Sequence, residues 1–390
     1  MFRSVVMKLT AVCNLNCSYC YMFNLADKTY TRVPALMAID TAFVTLDLIR
    51  RHLEVHESSR FNIILHGGEP TLWPLDRFRV FLRRIADMRR SGITLNVTIQ
   101  SNGYNLDSRL LDLLAEYGVS LGISLDGPRE YNDAYRVNHK GLGSYDKIIE
   151  NVGSIIQQGY GHIIGGFLTV AHPEIPPSEF LSWAKTLPVT RLSVLWPIQY
   201  NYDNPPWKGQ SYEAYACAPR YGQWFAELFE LWWRQDDPDL HIRHFVDSIK
   251  RMMGVRHHGD SIGNDEIDIF VVNTDGGIEY SDYLRSYTDG GSRTPFTVFA
   301  DDLDMIADDP LFSYCLSLGA HLPLECHGCP HANICGGGFL PGRTKRSDRI
   351  PRRKSILCAD QYYFFSAVRR IVMPHIQREA AAARQLLPAS

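Results

Sequence analysis

The first 197 residues alternate strand-length apolar runs with helix-length amphipathic stretches. That alternation restricts the chain to an α/β architecture built on a parallel sheet. Residues 4–8, 62–66, 94–100, 120–124, 163–170 and 190–195 are short and rich in Val, Ile and Leu, which predicts strands. Between them 39–55, 75–90, 108–117, 145–157 and 177–185 have helical character. A closed eightfold barrel takes about 250 residues. Six βα repeats therefore predict a partial (β/α)6 barrel of the TIM type over residues 1–198.

The full chain has 390 residues, 45% of them apolar, with 40 basic against 43 acidic side chains. This composition excludes disorder as the main state and gives no whole-chain attraction to nucleic acid or anionic membrane. The longest apolar runs fall far short of the roughly 20 residues of a spanning helix. Lys8 interrupts the only apolar stretch near Met1, so neither a secretory signal nor an acylation motif is read. A cytoplasmic protein with no membrane or nucleic-acid partner is expected.

Beyond residue 198 the pattern changes. A Tyr/Asn/Asp/Pro stretch at 199–206 reads as a loop, and 221–233 and 245–253 read as helices of a bridging region over 199–264. A second region, 265–390, opens with a hairpin: 267–273, the turn Thr274-Asp275-Gly276-Gly277, then 278–280. Nine cysteines fall in clusters, at Cys13, Cys17 and Cys20 and at Cys315, Cys326, Cys329, Cys335 and Cys358, with Cys217 alone. An odd, clustered count without an export signal indicates metal ligation or redox chemistry and argues against a disulfide framework.

Cys13-Asn14-Leu15-Asn16-Cys17-Ser18-Tyr19-Cys20 places CxxxCxxC directly after the first strand, where active-site loops of such barrels lie. Three thiolates can hold three irons of a [4Fe–4S] cluster and leave the fourth open; zinc or buried thiols fit the spacing too. The triplet, with its aromatic Tyr19, resembles the signature of the radical SAM superfamily. The resemblance implies an open iron that chelates S-adenosylmethionine, whose reductive cleavage gives a 5′-deoxyadenosyl radical. Motifs after the next three strands match the same family in order: His66-Gly67-Gly68-Glu69-Pro70, Gln100-Ser101-Asn102-Gly103 and Ser124-Leu125-Asp126-Gly127-Pro128. By that resemblance Gly67, Gly68 and Glu69 receive the ammonium group. Ser101, Asn102, Ser124 and Asp126 contact the ribose and methionyl parts, Arg136 pairs with the carboxylate, and Leu168 is an apolar wall near adenine.

Cys326-His327-Gly328-Cys329, then Cys335 and Cys358, could form a zinc ribbon. Beside a radical SAM barrel they resemble a SPASM domain, which carries auxiliary iron–sulfur clusters in a mixed, loop-rich structure. Two positions depart from the two-cluster pattern: Ser281 stands where GxxxxCys would end, and Phe339 stands four residues past Cys335. The first auxiliary ligand set is thus incomplete. The second, Cys326, Cys329, Cys335 and Cys358, is intact, so at least one auxiliary [4Fe–4S] cluster is implied. Cys217 reads as a packed thiol, and Cys315 as either a packed thiol or a ligand of a degenerate cluster.

Asp275 to Arg285 followed by Cys335-Gly336-Gly337-Gly338 resembles the subgroup that modifies ribosomally made precursor peptides, including the cyclophane-forming maturases. The resemblance implies abstraction of a Cβ hydrogen and a C–C crosslink to an aromatic ring. Alternatives within enzymes are thioether formation and formylglycine-type oxidation; a non-enzyme alternative is a zinc or electron-carrier module. A flavodoxin or ferredoxin would supply electrons. Asp282 directly follows the lost cysteine position, where sulfatase-maturing relatives have a catalytic aspartate, and is the candidate base, although a turn cap is an equally ordinary use of that residue. The basic stretch from Arg343 to Lys354 offers either an acidic-leader dock or a solvated loop. Trp196, Tyr200, Tyr202 and Trp207 offer either a peptide groove or packing. Cys13 lies so near Met1 that leader recognition is expected elsewhere, by strand addition on an exposed edge.

Overall fold

The computed structural model describes residues 1–255, 262 and 265–386. Residue 264, where the expected bridging region ends, lies outside the described residues, as does residue 390. The strands are β1 (Ser4–Thr10), β2 (Arg60–Gly67), β3 (Thr94–Ser101), β4 (Ser120–Ser124), β5 (Ile164–Val170), β6 (Arg191–Leu195), β7 (His241–Ile242), β8 (Ile269–Val272), β9 (Gly277–Glu279) and β10 (Arg293–Thr297). The helices are α1 (Ile39–Val55), α2 (Leu75–Arg90), α3 (Ser108–Glu116), α4 (Arg129–Tyr135), α5 (Tyr145–Gln157), α6 (Pro177–Thr186), α7 (Tyr212–Cys217), α8 (Arg220–Gln235), α9 (Arg243–Met252), α10 (Leu303–Ala307), α11 (Pro310–Leu316), α12 (Ala332–Cys335) and α13 (Cys358–Leu386).

The chain divides into two compact units. One comprises Met1–Thr169, Ile267–Ser317 and Lys345–Ile350; the other comprises Val170–Glu266, Leu318–Thr344 and Pro351–Ser390. In the first unit the strand order is β10-β9-β8-β1-β2-β3-β4-β5. From β8 through β5 every neighbour is parallel, while β9 pairs antiparallel with β8 and β10 antiparallel with β9. β1 is buried along nearly its whole length because it has a parallel neighbour on each side and helices packed outside. α2 shows the covering logic: Phe78, Phe81, Leu82, Ile85 and Met88 follow helical spacing and are all buried.

The βα pattern expected from the sequence is therefore present as an α/β fold with a parallel sheet. The hairpin expected at 267–280 is also present as β8 and β9, but β8 additionally pairs with β1, from Ser4↔Ile269 to Met7↔Val272. Phe270, Val271 and Val272 are completely buried, and a short apolar strand of that kind is stable only with both faces covered. The parallel arrangement gathers the carboxyl ends of β1 to β5 along one edge of the sheet, and each expected motif lies in the turn that follows its strand.

In the second unit β6 and β7 pair in parallel. α8 turns Trp224, Phe225, Leu228 and Phe229 inward. Phe225 meets Phe364 of α13 at 5.7 Å and Phe229 meets Phe245 of α9 at 5.2 Å between ring centroids. Trp196 is buried against Phe225 at 4.2 Å, so it is a packing residue and does not line a groove. Arg343 is likewise fully buried, its Nε donating to the Arg353 carbonyl at 2.8 Å, which removes it from the surface of the basic stretch. Among the described residues no helix is long and apolar enough to cross a membrane.

Candidate functional site

Cys13, Cys17 and Cys20 lie in the irregular segment that leaves β1. Burial pushes the Cys13 thiol up to about 12 and the Cys17 thiol up to about 11, and raises Cys20 as well. Three neighbouring thiols in such surroundings become thiolates when a bound cation supplies the compensating charge. Backbone N–H of Leu15 points at Cys13 Sγ (3.4 Å), and Asn102 Nδ2 reaches the same sulfur at 3.6 Å.

Asn102 links this loop to the ends of β2 and β3. Its backbone N–H donates to Glu69 Oε2 (2.7 Å), while Glu69 Oε1 accepts from the Ser101 hydroxyl (2.8 Å) and from the Thr71 N–H and hydroxyl (3.1 and 2.8 Å). Glu69 is buried, and burial raises its pKa against those hydrogen bonds. A Cβ on Gly68 would stand 2.2 Å from the Val12 carbonyl oxygen, so this glycine is required where β2 passes the loop that carries Cys13. A second buried set joins the expected residues Tyr19, Asp126 and Arg136. Arg136 Nη1 donates to Tyr19 Oη at 2.8 Å, and the Tyr19 hydroxyl donates to the Asp126 carboxylate. Ser124 accepts from Gln100 Nε2 at 2.9 Å and faces half-buried Leu168 across the β4/β5 register.

Two observations bear on what this loop can hold. Arg136 Nε and Asn14 Nδ2 are buried without a hydrogen-bond partner, which is costly unless a ligand supplies one. Ligands on one tetrahedral zinc at about 2.3 Å sit about 3.8 Å apart. Among the described residues no three cysteine sulfurs lie within 4.8 Å of one another; only His52, His56 and Asp304 bring three ligand atoms that close. Among the described residues neither cysteine set therefore meets the spacing of three ligands on one tetrahedral ion.

Asp282 opens a 3-10 turn after β9 and meets three residues that the sequence reading did not single out as a site. Lys8, at the end of β1 and fully buried, is ion-paired with Asp282 Oδ2. It also donates to Tyr21 Oη (3.0 Å) and His66 Nδ1 (3.2 Å), and the Tyr21 hydroxyl donates to Asp282 Oδ2 at 2.6 Å. The three ammonium protons are thereby used. Burial alone would raise the Asp282 carboxyl, but the charge of Lys8, then His66 and the two hydrogen bonds, hold it well below the usual carboxylate range. Burial lowers Lys8, and lowers His66 to about 4. Among the described residues no hydrogen bond falls on Asp282 Oδ1. Lysine inside an apolar strand and histidine before Gly67-Gly68 were the available signals.

In the second unit Cys326, Cys329, Cys335 and Cys358 line one small pocket with Gln361 and Lys354. Burial pushes Cys326 up to about 11 and raises Cys335 and Cys358. Gly338 has φ +87°, and a Cβ there would lie 2.2 Å from Gln361 Oε1, so the glycine run lets the chain turn tightly beside Cys335. Cys315 is buried in α11, as a packed thiol would be. Cys217 is exposed, contrary to the packed role expected for it; it ends α7 on the side opposite to buried Tyr215.

A sequence profile described as "Radical SAM superfamily" matches residues 7–187. The chain is 24% identical over 279 residues to the cysteine-type anaerobic sulfatase-maturating enzyme of Clostridium novyi, covering 70% of this chain and 71% of the relative. It is 21% identical over 383 residues to the serine-type enzyme of Bacteroides thetaiotaomicron, covering 93% and 88%. Among solved structures, native anSMEcpe with bound AdoMet and Cp18Cys peptide superposes with a TM-score of 0.78 at 18% identity over 97% of this chain and 99% of that one. Streptococcus suis SuiB bound to precursor peptide SuiA gives 0.57 at 16% identity over 92% and 76%. These two likenesses establish a shared fold. The profile match makes residues 7–187 a radical SAM domain, and with the sulfatase-maturating relatives it marks the chain as an enzyme.

Proposed function

We propose that this enzyme oxidises a side chain of a peptide substrate by removing a hydrogen from its Cβ, in the manner of formylglycine formation from Cys or Ser. The observation that carries the reading is the placement of Asp282: it is ion-paired to Lys8 on the same strand whose following loop holds Cys13, Cys17 and Cys20. The names of the sulfatase-maturating relatives point to the same class of reaction.

Cys13, Cys17 and Cys20 would hold a [4Fe–4S] cluster that, with S-adenosylmethionine, supplies the 5′-deoxyadenosyl radical. Asn102 and Leu15 orient Cys13 through their N–H groups, and Arg136 Nε is a buried donor available to a carboxylate. Glu69, Ser101, Ser124, Asp126, Tyr19, Gly67, Gly68 and Leu168 would frame that cofactor. Asp282 is ionised at neutral pH, so Oδ1 can take the thiol or hydroxyl proton of the substrate residue. Lys8 and Tyr21 hold the carboxylate through Oδ2 and steady its charge. Loss of the Cβ hydrogen, the heteroatom proton and one further electron leaves a carbon–heteroatom double bond. Cys326, Cys329, Cys335 and Cys358 would hold one auxiliary [4Fe–4S] cluster, and a flavodoxin- or ferredoxin-type donor would reduce the enzyme.

A second reading, a cyclophane crosslink from Cβ to an aromatic ring in a precursor peptide, is favoured by Ser281 and Phe339 at the two lost ligand positions and by the Gly336-Gly337-Gly338 run. Incubating the reduced enzyme with S-adenosylmethionine and a Cys-containing peptide, then adding an aminooxy reagent, separates the two. Formylglycine-type oxidation gives an aldehyde adduct. A product lacking two hydrogens that does not react and fragments as a ring transfers the assignment to the crosslink.

A further inference from the structure

Away from both cysteine sets, two histidines at the C-terminal end of α1 converge with the first turn of α10. His52 and His56 are four residues apart. His52 Nδ1, His56 Nε2 and Asp304 Oδ1 lie within 4.8 Å of one another. The imidazole rings are 4.5 Å apart between centroids. His52 is buried, while His56 and Asp304 face solvent in part.

The hydrogen bonding of His52 decides its tautomer. Its Nε2 lies 3.1 Å from the Phe2 carbonyl oxygen. A carbonyl has no hydrogen to give, so Nε2 carries the proton and donates it. Nδ1 of the neutral ring is then a bare lone pair. That atom is buried, has no hydrogen-bond partner, and stands 3.4 Å from Asp304 Oδ1. His56 Nε2 is 2.6 Å from the same oxygen. One proton on His56 accounts for the 2.6 Å contact, yet it leaves the lone pairs of His52 and Asp304 opposed. A second proton on His52 would put a charge on a buried ring 4.5 Å from the His56 ring. A cation shared by all three atoms removes the conflict.

We propose that His52 Nδ1, His56 Nε2 and Asp304 Oδ1 bind one divalent transition-metal ion of the zinc class. Two imidazoles and a carboxylate are a suitable donor set for such an ion, with water completing an open coordination shell. The Phe2 carbonyl serves as the outer partner that fixes a ligating imidazole. The end of a helix dipole adds further attraction for positive charge. The ion ties α1 to α10 and so pins the segment that leads into α11. It takes no part in the radical chemistry.

The test uses the full-length enzyme with its clusters loaded under anaerobic conditions, so that the thiols are occupied, and zinc itself as the probe. The wild type is expected to retain one zinc per chain through gel filtration. Its zinc X-ray absorption edge should show nitrogen and oxygen neighbours only. His56→Ala and Asp304→Asn, both changes at partly exposed side chains, should weaken zinc binding more than about tenfold and leave S-adenosylmethionine cleavage unchanged. Equal zinc retention by all three proteins, or sulfur in the shell of the retained zinc, overturns the proposal.

Discussion

The two cysteine sets are built in opposite ways. The first hangs on an irregular loop beyond β1, and its unit buries Lys8, Glu69, Asp126 and Arg136, with half-buried Asp282 beside them. The second is set on helix ends: Cys335 closes α12 and Cys358 opens α13, and its pocket includes Ala332, Gly337 and Tyr362. Burying a charge is costly unless it is paired. Charges therefore accumulate where a ligand has to be gripped, and are sparse where four thiols complete a site by themselves. On the proposed reading, three thiols amid charges would hold an open centre and four thiols in a mainly apolar pocket a closed one.

The largest effect should come from removing the open set. Cys13→Ala, Cys17→Ala and Cys20→Ala together are expected to abolish 5′-deoxyadenosine formation while about four irons per chain remain. Cys326→Ala with Cys329→Ala should leave the other four irons and retain cleavage of S-adenosylmethionine. Iron analysis beside a cleavage assay checks both. If the second variant also loses cleavage at full N-terminal iron content, the contrast between open and closed sets fails.

Asp282→Asn comes next. It removes the proton acceptor, and general-base losses run about 10²- to 10⁴-fold, so peptide turnover should fall by that factor while cleavage without peptide persists. It also leaves Lys8 buried without its counter-charge, an effect of about 3–5 kcal/mol for a buried pair. Adding Lys8→Met should recover the melting temperature without recovering turnover. Recovery of both would make Asp282 a structural residue and no base.

Much of this was legible in the sequence, for physical reasons. The strands and helices before residue 197 carry their own periodicity, and α1, α2 and α5 have the bounds that periodicity predicts. Glu69, Ser101 and Asn102 were legible as a group because parallel strands bring successive strand ends together. The Lys8, Tyr21, His66 and Asp282 cluster was not, since it joins positions up to 274 residues apart through the pairing of β8 with β1. That pairing depends on an apolar four-residue strand with no periodic signal of its own. α4 escaped because seven residues of mostly polar character give too little pattern to read. Exposure of Cys217 escaped because its residue type predicts burial and only the course of α7 decides otherwise.

A smaller effect, read by pH, concerns imidazoles whose pKa burial lowers, among them His66 in the first unit and His244 in the second. His244 in the second unit is fully enclosed; its Nε2 accepts from Trp196 Nε1 at 3.1 Å, and burial lowers it to about 3. Its folded pKa is below its unfolded value of about 6.5, so the unfolded chain binds the extra proton. The stabilisation is complete above that unfolded value and declines as pH falls toward 3. Between pH 6.5 and 5 the loss is about 2 kcal/mol. His244→Leu should flatten that slope in chemical denaturation, and an unchanged slope would show that another group controls the acid response.

The smallest expected effect concerns Cys217. It is exposed at the end of α7, and every other cysteine is at least partly enclosed. Alkylation of the cluster-loaded protein should therefore modify Cys217 first, and Cys217→Ser should change stability by no more than about 0.5 kcal/mol with iron content and turnover intact. Peptide mapping after brief labelling reads the order of reaction. If Cys329 or Cys358 reacts as fast as Cys217, the second set is not closed by metal in the prepared enzyme, and the division between a gripping site and a self-sufficient one has to be redrawn from the iron count.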